Sequence, residues 1–150
     1  MNSTTAPLTV RRTFKATRER VFRAWTDPKA LAQWWHAGPD MEPGVCEVDL
    51  RTGGKYTLKM KNKVKGIEHV TVGVFLEVVE PERLVYTWNW LNGPPGTVET
   101  RVTVEFLPRG SETELVLTHS GFTEEPVREN HGKGWGACLA ELDALLQSGK

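Results

Sequence analysis

The sequence predicts an α+β fold: a curved antiparallel sheet of about six to seven strands wrapped on a long C-terminal helix, with two short helices inserted after the first strand. Three observations carry this. Apolar and polar residues alternate with period two through successive runs between Val45 and His119, with only short turn-rich breaks. The segment after Phe122 returns to helical spacing and is the longest single element. A sheet with one wet face must hide the other, and that closing helix is the only element large enough to cover it.

Leu8 to Phe14 alternates as a first strand, and Arg18 to Thr26 then switches to helical spacing, with Val21, Phe22 and Trp25 on one face and Thr17 as the cap. Asp27-Pro28 stops that helix and starts a second, because Asp caps well and Pro suits the first helical position. The second helix carries Leu31, Trp34 and Trp35 and ends at Gly38-Pro39. Cys46, Val48 and Leu50 then lead through Arg51-Thr52-Gly53-Gly54 to Tyr56, Leu58 and Met60, which reads as a hairpin. Lys61 to Gly66 is basic but lacks interleaved aromatics, so it reads as a solvated turn. Val70, Val72, Val74, Leu76 and Val78 form the strongest apolar row; Leu84, Tyr86, Trp88 and Trp90 form the next, followed by a rigid turn at Asn92 to Gly96. Val98, Val102, Val104 and Phe106 make a further row, and Leu115, Leu117 and His119 the last. Thr123 is the expected cap of a helix from Glu124 to Gln147, whose apolar stripe runs through Val127, Trp135, Cys138, Leu139, Leu142, Leu145 and Leu146. Gly132, Gly134 and Gly136 each weaken such a helix by about 1 kcal/mol relative to Ala and need a packing reason.

The 150 residues suit one domain, expected over residues 8–147 with a disordered tail at 1–7. Nineteen basic residues balance nineteen acidic ones, which argues against partners held by counterion release: no nucleic acid and no anionic membrane surface. No signal peptide and no apolar run of about 20 residues is visible, so a cytoplasmic protein without membrane insertion is expected. Cys46 and Cys138 read as free buried thiols, and the four histidines lack metal-ligand spacing, so neither a metal nor another cofactor is implied. Six tryptophans in so short a chain are unusual, since each brings a large apolar area and a donor that needs a partner.

Several strings, in register from about residue 8 to 147, resemble one family. They are Val21-Phe22-Arg23-Ala24-Trp25-Thr26-Asp27-Pro28, Trp34-Trp35, Asp49 to Gly54, Glu80 to Trp88, His119-Ser120-Gly121-Phe122, and Gly134-Trp135 followed by Cys138-Leu139 and Leu142. Together they resemble proteins of the activator of heat-shock protein 90 ATPase homologue-like branch of the START-like, or SRPBCC, helix-grip superfamily. The resemblance implies a deep apolar cavity between sheet and helix, used for lipids, polyketides or other hydrophobic molecules, with cyclisation or dehydration in some members. It also implies a possible role at the heat-shock protein 90 chaperone. The better-known activators carry an additional N-terminal domain, whereas about seven residues precede the first strand here.

A curved sheet and a straight helix touch everywhere only if bulky side chains close the gap. Gly134 removes one such side chain, and Tyr56, Leu58, Val72, Val74, Trp88, Val102, Val104 and Leu117 are the expected opposing wall, with Trp135 and Cys138 on the helix. The same rows also suit a fully packed core. Trp35, with Trp34, forms either a lid at the cavity mouth or a packed helical corner. His119, continuing the row of Leu115 and Leu117, and His131, one turn before Trp135, are the polar candidates for orienting a ligand or moving a proton; a strand-end histidine bonded to backbone and a solvent-exposed one are the bland alternatives. His36 and His69 read as loop and outward strand positions, and Asp49 and Arg51 as a structural pair. No nucleophile elbow, dinucleotide fingerprint or triad is present. Binding of a hydrophobic small molecule leads, co-chaperone action and a cyclase- or hydrolase-type activity follow, and monomer and homodimer remain open.

Overall fold

A computed structural model describes residues 4–91 and 98–148. The elements are β1 (Leu8–Phe14), α1 (Arg18–Thr26), α2 (Pro28–Trp34), β2 (Met41–Val48), β3 (Lys55–Asn62), β4 (Glu68–Val79), β5 (Arg83–Trp90), β6 (Thr100–Arg109), β7 (Glu112–Ser120) and α3 (Glu125–Gln147). The seven strands form one antiparallel sheet in the order β1-β7-β6-β5-β4-β3-β2. Strands β2 to β7 are thus a simple meander, and β1 closes onto β7. The two short helices carry the chain from one sheet edge to the other.

The local chemistry of the early helices is as the residue types dictate. The Thr17 hydroxyl accepts from the Arg20 N–H, and the Asp27 carboxylate accepts from the Lys29 N–H with Pro28 opening α2. The C-terminal helix differs at its start: its cap is Glu124, not Thr123, without a side-chain bond, and Pro126 lies in the first turn, where its missing N–H costs nothing. The expected turn at 92–96 lies outside the described residues, as do residues 1–3 of the expected tail. Further on, the Thr5 N–H donates to the Phe122 carbonyl at 2.8 Å and the Arg128 guanidinium to the Ala6 carbonyl at 2.8 Å, so this part of the leader is fastened beside the start of α3.

Two strands depart from their expected boundaries. Strand β2 already begins at Met41 and bulges between Pro43 and Cys46, leaving Val45 exposed, and Leu50 lies beyond its end. Val98 precedes β6, and Thr100 takes its place in the inner row.

The larger correction concerns β4. Tyr56, Leu58 and Met60 point inward and pair with Gly73, Thr71 and His69. The inner row of β4 is therefore His69, Thr71, Gly73 and Phe75, and Val72 and Val74 lie on the outer face with Leu76. The reason is steric. A Cβ at Gly73 would collide with the Thr87 carbonyl oxygen and the Tyr56 ring, whose hydroxyl donates to that same carbonyl at 2.6 Å. Only glycine admits the tyrosine there, and β-branched residues on the other side reflect strand preference rather than burial. A bulge between Phe75 and Glu77 then shifts the phase, which returns Val78 to the core side.

The core lies between the concave sheet face, α3 and the two short helices. At one end Phe14, Phe22, Phe106, Leu115, Leu117, Leu139 and Leu142 are all within 2 % of complete burial. Among the described residues no helix is long and apolar enough to cross a membrane.

Candidate functional site

All six tryptophans meet in one cluster at the other end of that interface. Trp25 stacks on Trp135 at 6.0 Å between centroids and tilts against Trp34; Trp34 meets Trp35; Trp35 meets Trp88 and Trp135; and Trp88 meets Trp135 at 5.0 Å and Trp90 at 5.5 Å. The chain unites them because β5 presents Trp88 and Trp90 on its inner row, α2 ends in Trp34-Trp35, and α3 brings Trp135 across. Most of their indole donors are engaged: Trp25 to the Tyr86 hydroxyl, Trp34 to the Ala24 carbonyl, Trp90 to His131 and Trp135 to His119.

Between this cluster and α3 lies a pocket of about 250 Å³, open on one side. Its sheet wall is Met60 and His69 with Trp88 and Trp90, its helix wall is Val127, Asn130, His131, Gly134, Trp135 and Cys138, and Trp35 and Ala37 close the edge. A Cβ at Gly134 would have no atom within 4 Å beyond its chain neighbours and its own helix backbone, so this glycine leaves the helix wall open. Among the described residues no Asp, Glu, Lys or Arg lines the pocket.

Two histidines, His131 in the pocket wall and His119 behind it, are each fixed as a neutral tautomer. His119 accepts the Trp135 indole N–H at Nδ1, 3.0 Å, and its Nε2 lies 2.7 Å from the Thr100 hydroxyl, whose own proton goes to the Trp88 carbonyl. Nε2 therefore carries the hydrogen. His131 is the mirror case: Nε2 accepts from the Trp90 indole at 2.8 Å, and Nδ1–H donates to the Val127 carbonyl at 2.8 Å. The rings meet edge to face at 5.2 Å. Burial, then the neighbouring His131, pulls His119 down to about 2; burial also lowers His131, against the opposing effect of its bond to Val127. Burial, with the charge of Glu141 behind it, pushes the Cys138 thiol up to about 12, so it lines the pocket as an inert thiol. Cys46 is likewise free and buried.

The expected site residues thus divide. Trp35, Trp88, His131, Gly134, Trp135 and Cys138 share the pocket. Tyr56 and Leu58 line a separate void of only about 20 Å³ beneath α2. Val102, Val104 and Leu117 are completely buried in the core and are not among the lining of the pocket, and Val72 and Val74 are on the outer face. His119 stands behind the wall, touching the pocket-lining residues Trp135, Trp88 and His131. His69, expected to point outward, instead faces in opposite Met60, a consequence of the β4 phase set by Gly73. Ala37, Met60, Trp90, Val127 and Asn130 complete the lining. Their signal was available: the rows Tyr56-Leu58-Met60 and Trp88-Trp90 run to the same end of the sheet, and Val127, His131 and Gly134 fall three or four residues apart on α3.

His36 is tied elsewhere, to Glu141 at 2.9 Å, which joins the loop after α2 to α3. Asp49 and Arg51 form an exposed ion pair at 2.9 Å beside their turn. Among the described residues no group of three or more His, Cys, Asp or Glu is placed to hold a metal ion.

Comparison with known proteins agrees with this architecture. The activator of 90 kDa heat shock protein ATPase homolog 1 of Homo sapiens is 26 % identical over 131 residues, which are 87 % of this chain and 34 % of that protein. The chain spans about a third of the length of the curated relatives it matches. A Chromobacterium violaceum protein of solved structure superposes with a TM-score of 0.81 at 30 % identity, covering 93 % of this chain and 95 % of that one. The AHSA1 protein from Silicibacter pomeroyi gives a TM-score of 0.82 at 25 % identity over 97 % of this chain and 100 % of that one. The family described as activator of Hsp90 ATPase homolog 1-like protein matches residues 15–147, and with the curled sheet gripping α3 in place, the chain belongs to that family.

Proposed function

We propose that this protein binds a hydrophobic small molecule in the pocket between α3 and the inner face of β3 to β5, acting in the cytoplasm. The observation that carries the reading is a concave aromatic wall of Trp35, Trp88 and Trp90 facing a helix that presents Trp135 and is stripped of a side chain at Gly134, with no Asp, Glu, Lys or Arg in the lining among the described residues. Close packing is the rule in protein interiors, so an opening of about 250 Å³ beside such large side chains is a feature that calls for an occupant. Both histidines have both ring nitrogens engaged, which favours holding a ligand over proton transfer to one.

Binding of the neutral dye Nile red, followed by its displacement by candidate ligands, tests the reading. Wild-type protein should enhance the dye's emission, and Gly134→Leu, which directs a side chain into the pocket from a residue in ordinary helical conformation, should weaken binding at least about 100-fold while leaving the fold intact. Equal dye binding by the two proteins would remove the pocket as the site. Native mass spectrometry of the protein as isolated should reveal any ligand retained from the cell.

The name of the human relative, an activator of a 90 kDa heat shock protein ATPase, favours a second reading, stimulation of such an ATPase. Titration of purified chaperone with this chain, followed by ATP turnover, decides it: no stimulation at saturating chain leaves small-molecule binding alone.

A further inference from the structure

We propose that the walls of the pocket are held in place by two histidine ties of opposite protonation, His131 to Trp90 at one end and His36 to Glu141 at the other, so that ligand binding is confined to a window of pH. The proposal rests on the pocket reading above and adds its regulation.

Both ties join α3 to another part of the wall, and together they bracket the pocket. At one, the Trp90 indole of β5 donates to His131 Nε2 at 2.8 Å. At the other, Nε2 of His36, in the loop after α2, lies 2.9 Å from the Glu141 carboxylate. The two α3 positions are about 15 Å apart at ~1.5 Å per residue, and the lining residues Gly134, Trp135 and Cys138 fall between them. Trp90 and His131 themselves line the pocket, as do Trp35 and Ala37 on either side of His36. Releasing either tie therefore frees part of the lining.

The partners of each ring decide how many hydrogens it carries. His131 faces one donor, the Trp90 indole, and one acceptor, the Val127 carbonyl at 2.8 Å, so it is satisfied only when neutral. A second proton would set an N–H against the indole N–H and break the tie. His36 faces two acceptors, the Glu141 carboxylate and the Gly38 carbonyl at 3.2 Å from Nδ1, so it is satisfied only with a hydrogen on each nitrogen. Losing one would turn the Nδ1 lone pair towards the Gly38 carbonyl and remove the charge opposite Glu141. Acid thus releases the β5 side, and alkali the loop side. Of the neighbours, His119 meets His131 edge to face at 5.2 Å and is pulled down to about 2, while Cys138, three residues before Glu141, is pushed up to about 12, so neither changes charge in the window between them. Burial lowers His131 as well, which favours the neutral tie. Glu124 borders a small void with His131 and acts in the opposite sense, as a carboxylate beside the ring. His69 meets Trp90 at 6.3 Å and also lines the pocket, so variants of the ties themselves must assign each edge of the window.

Affinity for the neutral dye Nile red, measured from about pH 4.5 to 9 with folding followed by circular dichroism, tests this. Wild-type protein should bind most tightly inside the window and at least about fivefold more weakly towards each end. An amide accepts and donates without titrating, so His131→Gln should lose the acid limb and keep the alkaline one, and His36→Gln the reverse. Two resonances of the wild-type protein report the ties independently of either variant's folding. The Trp90 indole proton should move upfield across the acid limb alone, and the His36 Nδ1 nitrogen should shift across the alkaline limb alone. Absence of either limb in the wild type, survival of a limb in the variant of its own tie, or a resonance that stays fixed across its limb overturns the device and leaves the pocket reading in place. Failure of the dye to bind at any pH overturns both.

Discussion

One helix, α3, builds both ends of the sheet–helix interface, and the two ends are opposites. From Leu139 onward it contributes Leu139, Leu142 and Leu146, buried in one core cluster with Phe14, Phe106, Leu115 and Leu117. Upstream of Cys138 it contributes Gly132, Gly134 and Gly136 around a single large buried residue, Trp135, and a pocket opens although the sheet wall there carries the bulkiest side chains in the chain. The hollow is therefore created by omission on the helix. Large residues on the sheet reach the helix at Trp135 and His131 but leave the space in front of Gly134 unfilled.

The comparison makes its largest prediction in stability. Leu142→Ala at the solid end should lose about 2–5 kcal/mol of unfolding free energy, since a fully buried leucine leaves a cavity that its neighbours only partly close. Met60→Ala borders existing space at the hollow end and should lose no more than about 2 kcal/mol. Urea denaturation of both variants checks this. Equal losses would mean that the two ends are packed alike.

A second effect separates the ends by pH. His119 is buried neutral at the hollow end, pulled to about 2 by burial and then by His131, whereas an unfolded histidine titrates near 6.5. Below 6.5 the unfolded chain binds a proton that the folded one refuses. His119 therefore contributes fully above about 6.5, and its contribution falls as the pH drops towards about 2, at about 1.4 kcal/mol per pH unit once the unfolded histidine is charged. The lowered His131 acts in the same direction. Between pH 6.5 and 4.5 the wild-type protein should lose up to about 3 kcal/mol through His119, and His119→Gln, whose amide both accepts and donates, should show a visibly flatter profile. Identical slopes in thermal melts across that range would show that the imidazole is not held neutral.

How legible these ends are in the sequence differs in the same way. The solid end follows from apolar rows on β6, β7 and the late part of α3, where period and burial coincide: Val102, Val104, Leu115 and Leu117 are all inward. The order of elements and the early caps are equally plain, because Thr17, Asp27 and Pro28 act through bonds to their near neighbours. Strand β4 is where pattern misleads. Its valine row suggests an inner face, yet Gly73 and Thr71 are the inward residues, and the cue lies across the sheet in the tyrosine that needs the glycine's space. Within the strand the requirement shows only as the lone Gly73, a mark of close approach that does not say which residue approaches. The pocket was half visible for a related reason. Gly134 and Trp135 announce it on the helix, but which rows face it depends on where the sheet curls away, and that placed Met60, His69 and Trp90 there instead of Val72, Val74 and Leu117.

The smallest prediction separates two roles that a glycine in α3 can have. Gly134 and Gly136 both lie in ordinary helical conformation with no atom within 4 Å of an added Cβ, but only Gly134 lines the pocket. Replacing either should raise helix stability by about 0.5–1 kcal/mol through the lower entropy of the unfolded chain. Gly136→Ala should do so with dye binding unchanged, whereas Gly134→Leu gains stability and loses the ligand. If Gly136→Ala also weakens binding, the glycines serve the bending of α3 during ligand entry rather than the volume of the pocket, and the contrast between the two ends would then be one of mobility as much as of packing.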